Sequence, residues 1–221
     1  MQGEGYEEMR ERLVKSLVSS GYIVSEGVRK AFLKVPRELF VPEHLRSSAY
    51  VDTPLPIGHG QTISAPSMIA IMLEALDLKP GLKVLEVGAG SGYNAALLFE
   101  LAKRKVLTVE RIPELVEFAK RNLAAAGYGG KVEVVLGDGT LGYEREKPYD
   151  RILVTAGAPD VPQPLVDQLA DGGIVGIPVG SYQTFQDFVT VTKRGNTLKR
   201  RSYGGCAFVP LIGRYGWREW S

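Results

Sequence analysis

The feature that most constrains the fold is an alternation of strand-like and helix-like segments that begins near residue 82. Short apolar runs typical of buried strands occur at 83–87, 106–109, 132–136, 151–155 and 174–179. Helical patterns separate several of them, at 94–102, 112–126 and 164–170. Such an alternation predicts an α/β fold with a doubly wound, mainly parallel sheet and helices on both faces. The last two segments, 188–192 and 198–208, predict a closing antiparallel strand pair.

The first 80 residues follow a different pattern, which predicts an N-terminal helical extension. Helices are expected at 6–20 and 26–34, before a stretch rich in proline and turns at 37–60. A further helix follows Ser64, which we expect to be its N-cap, with Pro66 in its first turn. A chain of 221 residues hides about 70% of its unfolded surface on folding, so one domain is expected.

The composition excludes several classes of protein. Cys206 is the only cysteine and there are two histidines, so neither a disulfide scaffold nor a Cys/His zinc site is expected. The 27 Lys and Arg against 25 Asp and Glu give a net charge of +2, which does not demand a nucleic-acid partner. A basic cluster at 193–201 is interpreted as a hairpin with solvated charges. With a polar start and no apolar run of ~20 residues, we expect a cytoplasmic protein without a membrane partner.

A glycine-rich turn follows the first strand of the alternating region, in the run VLEVGAGSGY at 84–93. Ligands of open α/β sheets bind at the carboxyl ends of the strands, where glycines permit close approach to the backbone. The dinucleotide fingerprint G-x-G-x-x-G would need glycine at position 93, where the chain has Tyr93. The turn alone is compatible with a ligand site and equally with a tight turn that needs glycine, and it disfavours a nicotinamide dehydrogenase.

Two acids end the next two strands. Glu110 can accept hydrogen bonds from both hydroxyls of a ribose, and Asp138, between two glycines, can reach an adenine amino group. The distance of Glu110 from the glycine turn fits a βαβ unit and favours a ligand contact over a solvated acid, whereas Asp138 alone is better explained as a turn aspartate. Since parallel strands bring all three features to one edge of the sheet, the set resembles the cofactor site of Rossmann-like S-adenosylmethionine-dependent methyltransferases. The run at 155–159 lacks the Asp/Asn-Pro-Pro-aromatic motif of enzymes that methylate base amines.

Longer motifs carry a more specific resemblance. They are VPRELFVP at 35–42, AY at 49–50, PLPIGHGQTISAP at 54–66, GDG at 137–139, the segment 154–164 and FVPL at 208–211. Together with the glycine turn, they identify the chain as similar to the protein-L-isoaspartate O-methyltransferase family over nearly its whole length.

The resemblance implies an activity: methyl transfer from S-adenosylmethionine to the free α-carboxylate of L-isoaspartyl residues in damaged proteins, which starts repair through a succinimide. It implies Ser64 as the active-site residue and residues 1–80 as the acceptor side, with 81–221 as the cofactor-binding core. The expected partners are isoaspartyl peptides and proteins, and the expected state is a monomer without a metal. The cofactor pocket is expected to be lined by Gln61, Thr62, Ile63, Ser64, Glu86, Gly88, Ala89, Gly90, Glu110, Arg111, Asp138 and Gly139.

The sequence departs from the family at two positions. Some members have a histidine or tyrosine where this chain has Ser67, and many have a threonine where it has Ile212. These departures affect contacts to the cofactor and to the C-terminal segment, not the reaction.

Other interpretations stay open at this point. Without the resemblance, Ser64 is better explained as a helix N-cap than as an active-site residue. A methyltransferase acting on RNA or on a small molecule would share the fold and cofactor, and a non-catalytic module would bind the cofactor without turnover.

Overall fold

The computed structural model describes residues 5–181 and 183–218, which contain six α-helices and nine strands. The helices are α1 (Tyr6–Ser19), α2 (Glu26–Lys34), α3 (Pro66–Ala75), α4 (Tyr93–Ala102), α5 (Pro113–Ala125) and α6 (Gln163–Asp167). The strands are β1 (Leu55–Gly58), β2 (Gln61–Ile63), β3 (Val84–Val87), β4 (Val106–Glu110), β5 (Val132–Leu136), β6 (Tyr149–Val154), β7 (Leu169–Gly180), β8 (Gln186–Arg194) and β9 (Thr197–Cys206). Short 3₁₀ segments connect some of these elements.

The central sheet has seven strands in the order β5-β4-β3-β6-β7-β8-β9. The first five strands of this order pair in parallel, whereas β8 and β9 close the sheet as an antiparallel pair. The chain crosses from β5 back to β6, so the strand order reverses beside β3. The predicted doubly wound, mainly parallel sheet with a closing strand pair is confirmed, and the reversal fixes where a ligand can bind.

The core lies on both faces of this sheet because the side chains of each strand alternate between them. On one face, Val84 belongs to the apolar cluster that also contains Phe32 of α2 and Leu97 of α4. On the other face, Leu85 belongs to a cluster with Leu165 of α6. The N-terminal helices thus pack onto the sheet through α4, and they share one core with it.

Three local predictions need correction. The helix expected at 164–170 ends at Asp167, because Leu169 already pairs with Tyr149 at the start of β7. The turn-rich stretch contains an unpredicted strand, β1, which forms a hairpin with β2. Its two turn residues, His59 and Gly60, have φ of 52° and 68°, as a tight hairpin turn with positive φ at both positions requires.

The third correction concerns Ser64, which is not the N-cap of α3. Ala65 occupies the N-cap position without a side-chain hydrogen bond. Instead, Asp52 caps the helix from a distant loop: its Oδ1 accepts a hydrogen bond of 2.8 Å from the Ser67 backbone N–H. The Ser64 side chain is therefore left free of the capping role that the sequence pattern offered.

The basic cluster forms the β8–β9 hairpin, as predicted, with Lys199, Arg200 and Arg201 exposed. Lys193 differs from the prediction because its Nζ donates hydrogen bonds to the Val166 and Leu169 carbonyls, at 3.2 and 3.1 Å. Within the described ranges, no helix combines the length and the apolar character needed to cross a bilayer.

Candidate active site

The carboxyl ends of four parallel strands meet at one edge of the sheet. Gly88 follows β3, Glu110 ends β4, Asp138 lies just beyond β5 and Thr155 follows β6. Their strands are adjacent in the sheet, so residues far apart in the sequence become neighbours. The three features that the sequence placed at one edge do lie there.

The glycine turn leaves no room for a side chain at Gly88. Its φ is +94°, and a Cβ atom there would lie 2.4 Å from the Thr155 Oγ1 atom. Thr155 Oγ1 itself lies 2.8 Å from the Gly88 carbonyl oxygen and 3.1 Å from that of Val87, to which its hydroxyl donates. Glycine is thus required both by conformation and by the close approach of β6.

The Glu110 carboxylate organises the turn between β4 and α5. Its Oε1 accepts hydrogen bonds from the backbone N–H groups of Arg111 (2.8 Å) and Ile112 (3.0 Å). Its Oε2 accepts one from the Gly90 N–H at 3.0 Å. The side chain is fixed against the glycine turn, and about one acceptor site of its carboxylate remains for a ligand hydroxyl.

The Asp138 carboxylate connects β5 to the C-terminal segment. Its Oδ1 accepts hydrogen bonds from the backbone N–H and the hydroxyl of Thr140, at 2.9 and 2.7 Å. Its Oδ2 accepts one from the Arg214 N–H at 2.8 Å, while the Tyr215 N–H donates to Thr140 Oγ1. These bonds hold the C-terminal segment over the edge of the sheet.

A second connection holds the same segment beside β6. The Gly157 N–H donates to the Val209 carbonyl and the Leu211 N–H donates to the Gly157 carbonyl, both at 2.8 Å. Residues 209–212 therefore form a wall opposite the glycine turn.

A large cavity of about 680 Å³ lies between this wall and the edge of the sheet. Its lining combines apolar side chains with the Glu110 carboxylate, as small-molecule sites usually do. The lining residues are Gln61, Thr62, Val87, Gly88, Gly90, Val109, Glu110, Arg111, Ile112, Leu115, Gly139, Thr155, Ala156, Val209, Pro210, Leu211 and Ile212.

Two further cavities adjoin the large one. A small cavity of about 310 Å³ is lined by Thr62, Ile63, Ser64, Gly88, Ala89, Gly90, Ser91, Tyr93, Asn94 and Thr155. A side cavity of about 650 Å³ is lined by Pro54, Thr62, Ser64, Ala65, Met68, Thr155, Cys206, Ala207, Phe208 and Val209. Thr62 and Thr155 line all three cavities, and Ser64 lines the small and side cavities.

Most of the predicted site residues line these cavities, but Glu86 and Asp138 do not. Glu86 is fully buried within β3, where its Oε2 accepts a hydrogen bond of 2.6 Å from the Thr108 hydroxyl. Burial, opposed by this bond and assisted by nearby Glu110, raises the pKa of Glu86 to about 8. Its Oε1 has no partner among the described residues. Its assignment to the cofactor pocket stays a prediction, as does that of Asp138.

The sequence did not single out Thr155, although it ends a predicted strand at the same sheet edge as Gly88 and Glu110. The rule that ligands bind at the carboxyl ends of strands could have identified it. The sequence did indicate the segment after Phe208, together with the loop at 37–60, as a candidate wall of the peptide groove. Tertiary contacts bring its residues 209–212 to the large cavity as well. His59 lies exposed in the β1–β2 turn, as expected of an ordinary loop histidine.

The two positions where the sequence departs from the family lie in different places. Ile212 lines the large cavity. Ser67 belongs to the first turn of α3 and donates its backbone N–H to Asp52. Across the described ranges, no group of three or more His, Cys, Asp and Glu side chains is arranged to hold a metal ion.

Solved structures of two proteins share this architecture. One, a protein-L-isoaspartate O-methyltransferase, superposes with a TM-score of 0.84 at 35% identity, over 94% of this chain and 67% of that one. The other, a protein-L-isoaspartate O-methyltransferase from Plasmodium falciparum in complex with S-adenosyl-L-homocysteine, gives a TM-score of 0.81 at 29% identity. That match covers 92% of this chain and 98% of the other.

Sequence comparisons agree with the structural ones. A protein-L-isoaspartate O-methyltransferase from Hyperthermus butylicus is 56% identical over 98% of this chain and 94% of its own length. One from Methanopyrus kandleri is 59% identical over 97% of this chain and 96% of its own. The sequence model described as protein-L-isoaspartate(D-aspartate) O-methyltransferase matches residues 8–216. The chain therefore belongs to the protein-L-isoaspartate(D-aspartate) O-methyltransferase family.

Proposed function

We propose that Ser64 orients the acceptor carboxylate at the junction of the three cavities, and that the large cavity holds the methyl donor. The reaction is that of the family: methyl transfer from S-adenosylmethionine to the free α-carboxylate of an L-isoaspartyl residue in a damaged protein or peptide. The observation that carries the assignment is that Thr62 and Thr155 line all three cavities, with Ser64 beside them.

The large cavity suits a nucleoside with an amino-acid tail. Its lining combines apolar side chains such as Val109 and Leu115 with the Glu110 carboxylate. Glu110 offers the remaining acceptor site of its carboxylate to a ribose hydroxyl, and the bare backbone at Gly88 admits close approach. S-adenosylmethionine supplies an electrophilic methyl group on a sulfonium, and S-adenosylhomocysteine remains after transfer.

The predicted cofactor contacts divide between the cavities. We propose that Gln61, Thr62, Arg111 and Gly139 contact the donor in the large cavity. Ile63, Ser64 and Ala89 would surround the part of it nearest the acceptor, in the small cavity.

The reaction needs few titrating groups. A carboxylate with an ordinary pKa near 3.9 arrives ionised at neutral pH, so no general base is required. The thioether leaves uncharged, so no general acid is required either. Alignment and exclusion of water are the remaining needs, and alignment alone can supply roughly 7–11 kcal/mol.

The Ser64 hydroxyl fits the task of alignment. Since Asp52 caps α3, the hydroxyl is not needed for the helix, and no hydrogen bond within the described residues engages it. A single neutral donor can direct a carboxylate oxygen without holding the ground state so strongly that attack slows.

The side cavity is the proposed entrance for the peptide. The N-terminal part contributes Pro54, Ala65 and Met68 to it, and the opposite wall contains Ala207 and Phe208. We propose that residues 1–80 shape this acceptor side and that 81–221 form the cofactor-binding core. Both act as parts of one domain, supported by the core that they share.

After transfer, the ester enables repair. The backbone nitrogen of the following residue attacks the ester carbonyl and expels methanol, a better leaving group than the hydroxide that a free acid would lose. Opening of the resulting succinimide by water regenerates some of the normal aspartyl linkage.

We propose that the enzyme acts as a cytoplasmic monomer on peptides and proteins. The unpaired thiol of Cys206 is compatible with a reducing compartment. Sedimentation equilibrium would test the monomeric state.

The role of Ser64 is tested with Ser64→Ala in methyl-transfer assays that use matched aspartyl and isoaspartyl peptides. We expect a base-labile methyl ester on the isoaspartyl peptide only. We expect Ser64→Ala to lower kcat about 10-fold or more while S-adenosylhomocysteine still binds. Unchanged turnover in the variant would remove Ser64 from the mechanism, and ester on the aspartyl peptide would contradict the substrate assignment.

A further inference from the structure

Arg37 lies fully buried below the acceptor site, in a 3₁₀ turn after α2. Its guanidinium joins two backbone segments that are distant in sequence. Nε donates a hydrogen bond to the Ala49 carbonyl and Nη2 donates one to the Ser64 carbonyl, both at 2.8 Å. One rigid planar group thus fixes the backbone of Ser64 to the loop that precedes β1.

The guanidinium also contacts the wall of the small cavity. Its central carbon lies 5.1 Å from the centroid of the Tyr93 ring, which is 2% exposed. Tyr93 and Ser64 both line that cavity, so Arg37 supports two of its lining residues from behind.

Filling this buried space with an arginine lowers the stability of the fold relative to an apolar side chain of similar volume. Among the described residues, no carboxylate forms an ion pair with it, and its Nη1 has no hydrogen-bond partner. Burial lowers the pKa of Arg37 to about 10, which still leaves it charged at neutral pH. A buried cation without a direct counterion is usually less stable than an apolar side chain of similar volume. The guanidinium therefore points to a role other than stability.

We propose that Arg37 is a positioning residue for methyl transfer, which sets the direction of the Ser64 hydroxyl through the Ser64 backbone carbonyl. A lysine could keep the charge but could not donate to both carbonyls from one plane. An error of about 1 Å in placement can cost on the order of 100-fold in rate. This inference rests on the proposed role of Ser64.

The test compares Arg37→Lys and Arg37→Met with Ser64→Ala and with the double variants. We expect each Arg37 variant to lower kcat for the isoaspartyl peptide about 10- to 100-fold. We expect the dissociation constant of S-adenosylhomocysteine to change less than about 3-fold. In the Ser64→Ala background, the Arg37 substitutions should lower kcat further by less than about 2-fold, because residues that act through one another are not additive.

Arg151 provides the matched control. It is a buried arginine at the opposite end of the sheet, where Nη1 donates to the Asp150 carbonyl at 2.8 Å and Nη2 to the Asp77 carbonyl at 3.3 Å. Arg151→Lys should lower the melting temperature without changing kcat. A similar loss of kcat in Arg151→Lys would show that loss of stability alone explains the Arg37 result.

Three outcomes are separable. If Ser64→Ala leaves kcat unchanged, the proposed role of Ser64 fails. If Ser64→Ala lowers kcat while Arg37→Lys does not, or if the two losses multiply, the positioning role of Arg37 fails on its own. If neither Arg37 variant folds, Tyr93→Leu is used instead, because it removes the ring beneath the guanidinium. Its loss of kcat should be non-additive with that of Ser64→Ala. Additive losses would overturn the proposal.

Discussion

The Oδ2 atom of Asp138 accepts a hydrogen bond of 2.8 Å from the backbone N–H of Arg214. This bond connects the end of β5 to the segment whose residues 209–212 form the outer wall of the large cavity. Asp138, which the sequence predicts to bind an adenine amino group, thus also holds this wall in place. Because Asp138 accepts from Thr140 as well, its remaining capacity for a ligand is limited.

Replacing Asp138 should therefore weaken cofactor binding mainly by releasing this wall. We expect Asp138→Asn to raise the dissociation constant of S-adenosylhomocysteine about 3- to 10-fold, which corresponds to about 0.7–1.4 kcal/mol. Isothermal titration calorimetry would measure it. Asp187→Asn is the control, since Asp187 makes comparable bonds to Ser202 and Gly204 in β9, outside the cavities. Equal affinity in both variants and the wild type would contradict the prediction.

Glu110 should contribute to cofactor binding through ligand hydroxyls. We expect Glu110→Ala to weaken S-adenosylhomocysteine binding about 10-fold or more, because the ribose acceptor and the support of the glycine turn are lost together. An analogue without the 2′-hydroxyl separates the two effects. It should bind more weakly than the parent to the wild type and equally well to the variant.

The control for this experiment is Glu133→Ala, which removes an exposed acid of β5 that pairs with Lys105. Its affinity should match that of the wild type. If Glu110→Ala still discriminates between the two ligands, Glu110 does not contact the hydroxyl.

Asp52 should support both the stability of α3 and the acceptor site. Removing an N-cap costs about 1 kcal/mol, so Asp52→Ala should lower the free energy of unfolding in urea by about that amount. Asp52 fixes the backbone of Ser67, three residues after Ser64, so kcat should fall as well. Ser25→Ala is the matched control, because Ser25 caps α2 through the Val28 N–H at 3.2 Å. Ser25→Ala should lower the free energy of unfolding by a similar amount and keep the wild-type kcat. Equal kcat values for Ser25→Ala and Asp52→Ala would contradict this prediction.

Glu86 should make the stability of the protein depend on pH. Its pKa is about 8 in the folded state, against an ordinary value of 4.5, so the folded protein retains a proton that the unfolded chain has lost. The contribution of this proton to the free energy of unfolding is fully present below pH 4.5. It is lost as the pH rises towards 8, by up to ~1.4 kcal/mol per pH unit. Glu86→Gln should remove this decline in urea unfolding measured between pH 5 and 9.

The control is Glu133→Gln, whose side chain is 40% exposed and which should retain the wild-type decline. A Glu86→Gln variant with an unchanged pH dependence would show that Glu86 ionises normally.

The sequence by itself determined the order of strands and helices and the edge of the sheet at which the site lies. Hydrophobic periodicity is a local property, and parallel pairing places the residues that follow β3, β4 and β5 together whatever their side chains do. It also indicated Ser64, through the run at 61–66, and the family to which the chain belongs.

Only the tertiary structure decided how the site is held together. Asp52 replaces Ser64 as the cap of α3, Arg37 reaches across 27 residues to the Ser64 carbonyl, and Asp138 holds Arg214 across 76 residues. Such contacts depend on where loops meet in space, and no periodicity in the chain records them. The sequence located the chemistry at an edge of the sheet because that edge follows from pairing, whereas the directions of individual side chains follow from packing.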